Sequence, residues 1–456
     1  MPADNPATSE NGPAAAHRGL TRWQAVPLAI GSIAGSGILF LPSATYAKAG
    51  DNSLLVWGLS ILLCLPMLLM FDDMVRANPD GRGIEAFIRM GLGPLFGRAV
   101  PVLFIALVIV GLPSGAFVAG RYVSRTFHGG LAATSAVAAA VLLAALATNL
   151  AGVRTSSRLQ TVVTWGLVAM ATILLGSALP SAGGHLDTVT PDSGHLSVVL
   201  PGMLLAFWAF AGFENLTFLS REFRRPAKDF LPVSAIALSV YGVFTILLTV
   251  AIAVRIPRGD VDEVTGLLQL AATMHPEKLV TWAVTVIAFS AMLLNAVAWV
   301  WGVSGLVSDA AHNGMLPSRF AAPDGARGVS RGTAALLVAL FAVTFTVLVL
   351  FPGLVVDATA TASAIFMILY VLAIVSYARV RGLTVRSALN MVLLVVMAVS
   401  LVQARWQSLY GVVVLLLALG VQFGQRRFGA RAGAAGGPAG EAPQPVPSAA
   451  ERESST

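Results

Sequence analysis

Along this chain, long apolar runs alternate with short polar links rich in Gly, Pro and Arg, and the runs far exceed the length of a half-buried soluble helix or strand. A helix crossing a bilayer needs about 20 mostly apolar residues. Twelve runs of that kind stand out: Trp23 to Ala47, Leu54 to Phe71, Pro101 to Gly120, Ala132 to Leu150, Leu159 to Leu179, Leu196 to Leu219, Val233 to Val254, Leu279 to Val307, Ala334 to Leu350, Ala358 to Tyr377, Ala388 to Val402 and Leu409 to Phe423. The pattern predicts an all-α membrane protein of twelve transmembrane helices.

Composition agrees. Of 456 residues, 56% are apolar and 11% charged, and mean hydropathy is +0.80. Those values exclude an ordinary soluble enzyme and a disordered chain. The single cysteine, Cys64, excludes an internal disulfide. A net charge of +7 raises the question of a nucleic-acid partner, but the basic residues are scattered between apolar runs instead of gathered on one soluble face, so no nucleic acid is expected.

The charges do orient the spans. With the N-terminus inside, the tails and even-numbered loops hold 22 of the 29 Lys and Arg, leaving Lys48, Arg121, Arg125, Arg255, Arg258, Lys278 and Arg405 outside. The positive-inside rule then places both termini in the cytoplasm of a cell with this protein in its inner (cytoplasmic) membrane. Residues 1–20 lack the pattern of a secretory signal, and they are read, like the Gly/Ala/Pro-rich 425–456, as a disordered cytoplasmic tail. Repeat one is expected over about 21–179, repeat two over about 196–379, and two appended helices over about 384–424.

Two spans are unusual. Hydrocarbon obliges a segment to satisfy its own backbone hydrogen bonds, so a Gly-rich interruption at mid-depth belongs beside protein or a wet cavity. The first span carries Gly31, Gly35 and Gly37 near its centre, with Pro42 beyond; the sixth carries Phe207-Trp208-Ala209-Phe210-Ala211-Gly212-Phe213-Glu214-Asn215. Each opens a block of five spans. A lone Gly-x-x-x-Gly is more often a close helix crossing, but interruptions at corresponding places in two halves point to the binding site of an inverted-repeat transporter. A 5+5 inverted repeat with broken helices 1 and 6 follows.

A break in span one near Ala34 to Gly37 presents the amides of Ser36, Gly37 and Ile38 at the positive end of a half-helix, a seat for a carboxylate; the carbonyls around Ile33, Phe210 and Ala211 are free to receive an ammonium group, and glycines such as Gly35 and Gly212 let the ligand touch backbone. Together they fit a zwitterion the size of one amino acid. Its side chain is expected against Trp208, Phe210, Phe213, Asn295 and Trp299, and with no acidic partner but Glu214 a neutral, apolar side chain is favoured. Glu214 is the one acidic residue placed well within a span, and all six histidines lie outside the spans, so Glu214 is the candidate for proton coupling. No metal or cofactor is called for.

These residues resemble the amino acid, polyamine and organocation transporter superfamily over essentially the whole membrane portion. The resemblance rests on Gly35-Ser36-Gly37-Ile38 with Pro42, Asn78-Pro79-Asp80-Gly81-Arg82-Gly83, Phe210-Ala211-Gly212-Phe213-Glu214, Arg221-Glu222-Phe223-Arg224-Arg225-Pro226-Ala227-Lys228-Asp229 and Asn313-Gly314-Met315-Leu316-Pro317. Within it, Asn52-Ser53-Leu54, Val110-Gly111-Leu112-Pro113, Gln160-Thr161-Val162 and Trp406-Gln407-Ser408-Leu409-Tyr410 are most similar to bacterial exporters of methionine and branched-chain amino acids. The resemblance implies a LeuT-like fold, carboxylate binding at Ser36 and Gly37, aromatic gating near Trp208, Phe210 and Trp299, and alternating access.

Many members of that superfamily carry a lysine in span five in place of Na⁺. The corresponding position here is Leu167, which leaves Glu214, Na⁺ (with Thr161 and Thr164 as oxygen donors) or plain exchange open. The expected function is secondary transport of neutral, mainly apolar L-amino acids, outward and coupled to protons, with an uptake permease or exchanger of the same fold as the alternative. A membrane-embedded enzyme would need clustered His, Asp, Glu or Cys at depth, and an amino-acid sensor would need something to signal through; neither is visible, and the oligomeric state is undefined by sequence.

Overall fold

The computed structural model describes residues 19–34, 37–77, 83–152, 157–178, 196–210, 212, 216–217, 219–312, 314, 316–322 and 329–435. Among them there is no strand, only an isolated bridge between Leu20 and Phe223. The helices are α1 (Arg22–Ala34), α2 (Gly37–Ala49), α3 (Ser53–Ala77), α4 (Gly83–Leu92), α5 (Pro94–Thr126), α6 (Leu131–Leu150), α7 (Ser157–Ala178), α8 (Leu196–Phe207), α9 (Pro226–Arg255), α10 (Gly266–Ala272), α11 (Glu277–His312), α12 (Arg331–Leu350), α13 (Val355–Arg381), α14 (Val385–Gln403) and α15 (Trp406–Ala435).

Among the described residues, ten stretches are long and apolar enough to cross a membrane. The two expected spans that do not appear among them as single uninterrupted helices are the first and the sixth. Of the first, the structure describes α1 and α2, 13 residues each, on either side of residues 35 and 36. The sixth contributes only the shorter apolar stretch Val198–Phe210, the α-helix α8 followed by a 3-10 turn over Trp208–Phe210.

Several boundaries differ from the sequence expectation. Span two runs on through Asp72 and Asp73 to Ala77, because Arg76 one turn later donates to Asp72 Oδ2 (2.8 Å) and Arg386 to Asp73 Oδ1 (2.6 Å), which offsets the cost of carrying the carboxylates inside the helix. Asp72, Glu85 and Asp229 are thus carboxylates buried in described helices, where the sequence suggests loops or span ends. The last helix continues to Ala435, beyond Gly424, where the Gln, Arg and Ala of this stretch favour a helix and Gly429 and Gly433 do not end it. Leu20, assigned to the tail, is held: its amide donates to Glu222 O (2.6 Å) and its carbonyl accepts from Arg224 N (2.9 Å).

Two short helices were not foreseen, and their places are informative. α4 follows the second span and α10 follows the seventh, so each half of the chain carries one after its second crossing. α4 packs on α13, where a β-carbon on Gly91 would stand 2.5 Å from Ser376 Cα and Phe87 lies 6.2 Å from the Tyr377 ring. α10 instead meets α2, and the Ser43 hydroxyl donates to Glu263 O just before it (3.0 Å).

Loop contacts sort the ends of the spans into two sets. The segment before α1 bonds to the one before α9 (Leu20 with Glu222 and Arg224), the end of α3 bonds to the start of α14 (Asp73 with Arg386), and Asn149 O accepts from Val329 N. At the opposite ends, Arg258 donates to Ala47 O and Lys48 O, Arg125 to Asp262, Arg121 to Pro352 O, and Arg255 to Ser177 O. Even loops meet even loops and odd meet odd, as an up-and-down path requires.

Candidate functional site

The break in the sixth span lies against the first span. Gly212 has φ +147°, a backbone conformation that L side chains rarely adopt, so the sixth span is not α-helical there. A β-carbon at Gly212 would stand 3.1 Å from Ser32 O and 3.5 Å from Ile33 Cα at the end of α1. One at Gly37 would stand 3.3 Å from Ala209 Cα in the 3-10 turn. The glycines therefore let one backbone touch the other, at the last residues of α1 and the first of α2. This contact between distant segments is what the repeat pattern in the sequence anticipates.

Of the residues expected there, Gly35, Ser36, Ala211, Phe213 and the proton-coupling candidate Glu214 lie outside the described residues. Ile33 and Ala34 end α1, and Gly37 and Ile38 begin α2; Ile33 and Ile38 are buried. Leu167, at the place where the family resemblance looks for a lysine, is buried in α7, and the nearby Thr164 hydroxyl lies closely against Gly31 of α1.

Beside the interruptions is a cavity between α5, α11 and the 3-10 turn. Trp208, Asn295 and Trp299 line it, as expected; so do Leu107, Val108, Gly111, Leu112, Gly115 and Ala116 of α5 and Met292 and Ala296 of α11. No charged side chain is among the lining residues. Asn295 supplies the one carboxamide, and it makes no hydrogen bond among the described residues. On α11, Met292, Asn295, Ala296 and Trp299 follow the i, i+3, i+4, i+7 spacing of one helix face. Facing them on α5, Gly111 and Gly115 are one turn apart, and a β-carbon at Gly111 would stand only 2.6 Å from Trp208 Cη2. The glycine accepts the indole.

Phe366 of α13 ties the aromatic wall together, at 5.8 Å from Trp208 and 5.7 Å from Trp299, both edge-on. Sequence analysis did not pick it out, because one Phe in an apolar span carries no periodic signal. Phe210, expected in the pocket, is not part of the cavity lining: it is fully buried and edge-on to Trp57 (6.1 Å) and Tyr241 (5.9 Å). Its position is fixed from below by a polar ladder on α9, in which Trp57 Nε1 donates to Thr249 Oγ1 (2.9 Å) and Thr249 to Thr245 O (2.7 Å). Tyr241, also missed, presents its hydroxyl to Gly37.

A bundle of membrane-length helices in which the non-helical turn at Gly212 packs on the end of α1 beside an apolar cavity is the architecture of a multi-pass membrane transporter. The chain belongs to the amino acid permease family of the amino acid, polyamine and organocation superfamily, whose sequence pattern matches residues 20–418. It is similar to the L-methionine/branched-chain amino acid exporter YjeH of Escherichia coli (strain K12), 27% identical over 48% of this chain and 52% of that protein. The matched stretch thus spans about half the exporter. It is also similar to the uncharacterized amino acid permease YecA of Bacillus subtilis (strain 168), 26% identical over 66% of this chain and 71% of that one. Among solved structures, the crystal structure of MhsT in complex with L-phenylalanine superposes with a TM-score of 0.61 at 16% identity, covering 84% of this chain and 98% of that one. The shared architecture is the LeuT-like fold.

Proposed function

We propose that this protein exports neutral, mainly apolar L-amino acids, methionine, leucine, isoleucine and valine, from the cytoplasm by alternating access coupled to protons. The observation that carries the proposal is the cavity: an apolar, two-tryptophan chamber with one carboxamide and no charge among its lining residues, adjoining two helix interruptions. A zwitterionic backbone is served by the exposed peptide dipoles at the interruptions. An uncharged side chain avoids placing an unpaired ion in apolar surroundings. The likeness to YjeH, an L-methionine/branched-chain amino acid exporter, and to MhsT, seen in complex with L-phenylalanine, favours the same substrate class.

The remaining parts of the proposal come from sequence. Glu214 carries the coupled proton, both termini face the cytoplasm of the cell in whose membrane the protein sits, and the interrupted helices open two repeats, about 21–179 and 196–379, with 384–424 appended. No enzymatic step or cofactor enters.

Counterflow in proteoliposomes with labelled Met, Leu, Ile, Phe and Arg, varying pH and Na⁺ separately, tests it. Met and Leu are expected to exchange well above Arg, with pH rather than Na⁺ dependence that Glu214→Gln abolishes. Arginine exchange exceeding leucine exchange would refute the pocket argument, and an unchanged pH profile in Glu214→Gln would remove the proton role.

A further inference from the structure

Resting on the proposal that the cavity takes the substrate side chain, the geometry points to Met292 and Gly115 as the pair that gauges side-chain length. A β-carbon built on Gly115 would meet one atom within 4 Å, the terminal methyl Cε of Met292 at 2.8 Å. The wall above Gly115 is therefore not backbone or a rigid ring. It is the far end of an unbranched thioether, the side chain with three rotatable bonds that adapts most readily to irregular space.

The neighbouring notch is built differently. At Gly111 the missing side chain is replaced by the Trp208 indole, held in turn by Phe366, so that end of the cavity is stiff. Met292 is otherwise buried, and the cavity it lines with Asn295 and Trp299 is the open side toward which its methyl can turn. With the methyl in the Gly115 notch the cavity is long; with the methyl turned inward it is short. The pair accordingly sets how far an apolar side chain reaches, and makes the limit adjustable for unbranched chains such as methionine's.

The arrangement predicts opposite effects from two single substitutions and cancellation between them. Gly115→Ala fills the notch and drives the Met292 methyl into the cavity. Met292→Ala empties that end. In the double variant the new methyl group has no other atom within 4 Å to meet, so room returns.

The measurement is proteoliposome counterflow of L-methionine, L-phenylalanine and L-alanine, read as ratios of kcat/KM within one preparation so that lowered expression cancels. Gly115→Ala should lower the methionine-to-alanine ratio about tenfold or more, the discrimination that one methylene's worth of space provides. Met292→Ala should raise the phenylalanine-to-alanine ratio by a similar factor. The double variant should return the methionine-to-alanine ratio to within about threefold of the parent, the signature of direct coupling between neighbours.

A ratio unmoved by Gly115→Ala, or one lowered and not rescued in the double variant, overturns the gauge while leaving amino-acid transport standing. Should Gly115→Ala fail to assemble, Met292→Ala alone decides: an unchanged phenylalanine-to-alanine ratio overturns it. A parent protein that exchanges none of the three amino acids overturns the proposed function and the gauge together.

Discussion

The hydroxyl of Tyr241 sits 2.5 Å from the position a β-carbon on Gly37 would occupy, fully buried and with no hydrogen-bond partner among the described residues. A buried phenol left unpaired costs about 1–3 kcal/mol. The place where it points is the first residue of α2, beside the interruption. Tyr241→Phe should therefore raise the thermal unfolding midpoint of the substrate-free protein in detergent while weakening amino-acid binding about fivefold or more. The check is a pair of melting curves, with and without L-leucine. A variant equally stabilised by leucine as the parent would assign the hydroxyl no part in binding.

Gly212 combines a φ of +147° with backbone contact to Ser32 and Ile33. Alanine there meets both the dihedral penalty, about 1–3 kcal/mol, and a carbonyl oxygen that cannot give way without moving the end of α1. Gly212→Ala is expected to reach the membrane in normal amount and to lose at least nine-tenths of counterflow. Full transport from that variant would show that the two interruptions need not touch.

The start of α1 is clipped to the start of α9. Beyond the Leu20 bridge, Arg22 Nη2 pairs with the buried carboxylate of Asp229 at 3.0 Å, and Arg225 approaches the same group at 3.7 Å. Removing the carboxylate leaves two guanidinium groups without their shared partner, so α1 should loosen at that end. In a Cys64→Ala background carrying Ile30→Cys, Asp229→Ala should speed labelling by a water-soluble maleimide severalfold. Equal labelling rates with and without Asp229 would mean the bridge at Leu20 suffices.

At the opposite ends of the helices, outside the spans, Asp262 caps the turn leading to α10. Burial acts to raise its pKa, but the amides of Thr265 and Val264 and the guanidinium groups of Arg125 and Arg121 outweigh it and hold the carboxyl below its ordinary 3.8. A depressed folded-state pKa contributes stability that is complete above the unfolded value and is lost as pH falls through the folded one. The midpoint of thermal unfolding should thus be insensitive to this group above about pH 5 and should drop once pH falls below about 4. Asp262→Asn should have a lower midpoint at neutral pH and a shallower acid limb. A parallel acid limb in parent and variant would exclude Asp262 from it.

Sequence alone determined what solvent dictates locally. Hydrocarbon demands a run of apolar residues, which is why the spans, their alternation from side to side and even the break at Gly212 could be read from residue order. The cavity was legible only where a polar or bulky group is out of place in such a run, as with Trp208, Asn295 and Trp299. Gly115, Met292, Phe366 and Tyr241 carry no such mark, since Gly, Met and aromatics are ordinary in a membrane helix. Their places were decided by tertiary packing, which sets the face of α5 against the face of α11 and brings the Tyr241 hydroxyl of α9 to the start of α2. The same holds for Phe210, whose sequence position beside Trp208 suggested the cavity. The 3-10 turn directs successive side chains to different faces, and the Trp57 and Tyr241 rings hold this one away from the chamber.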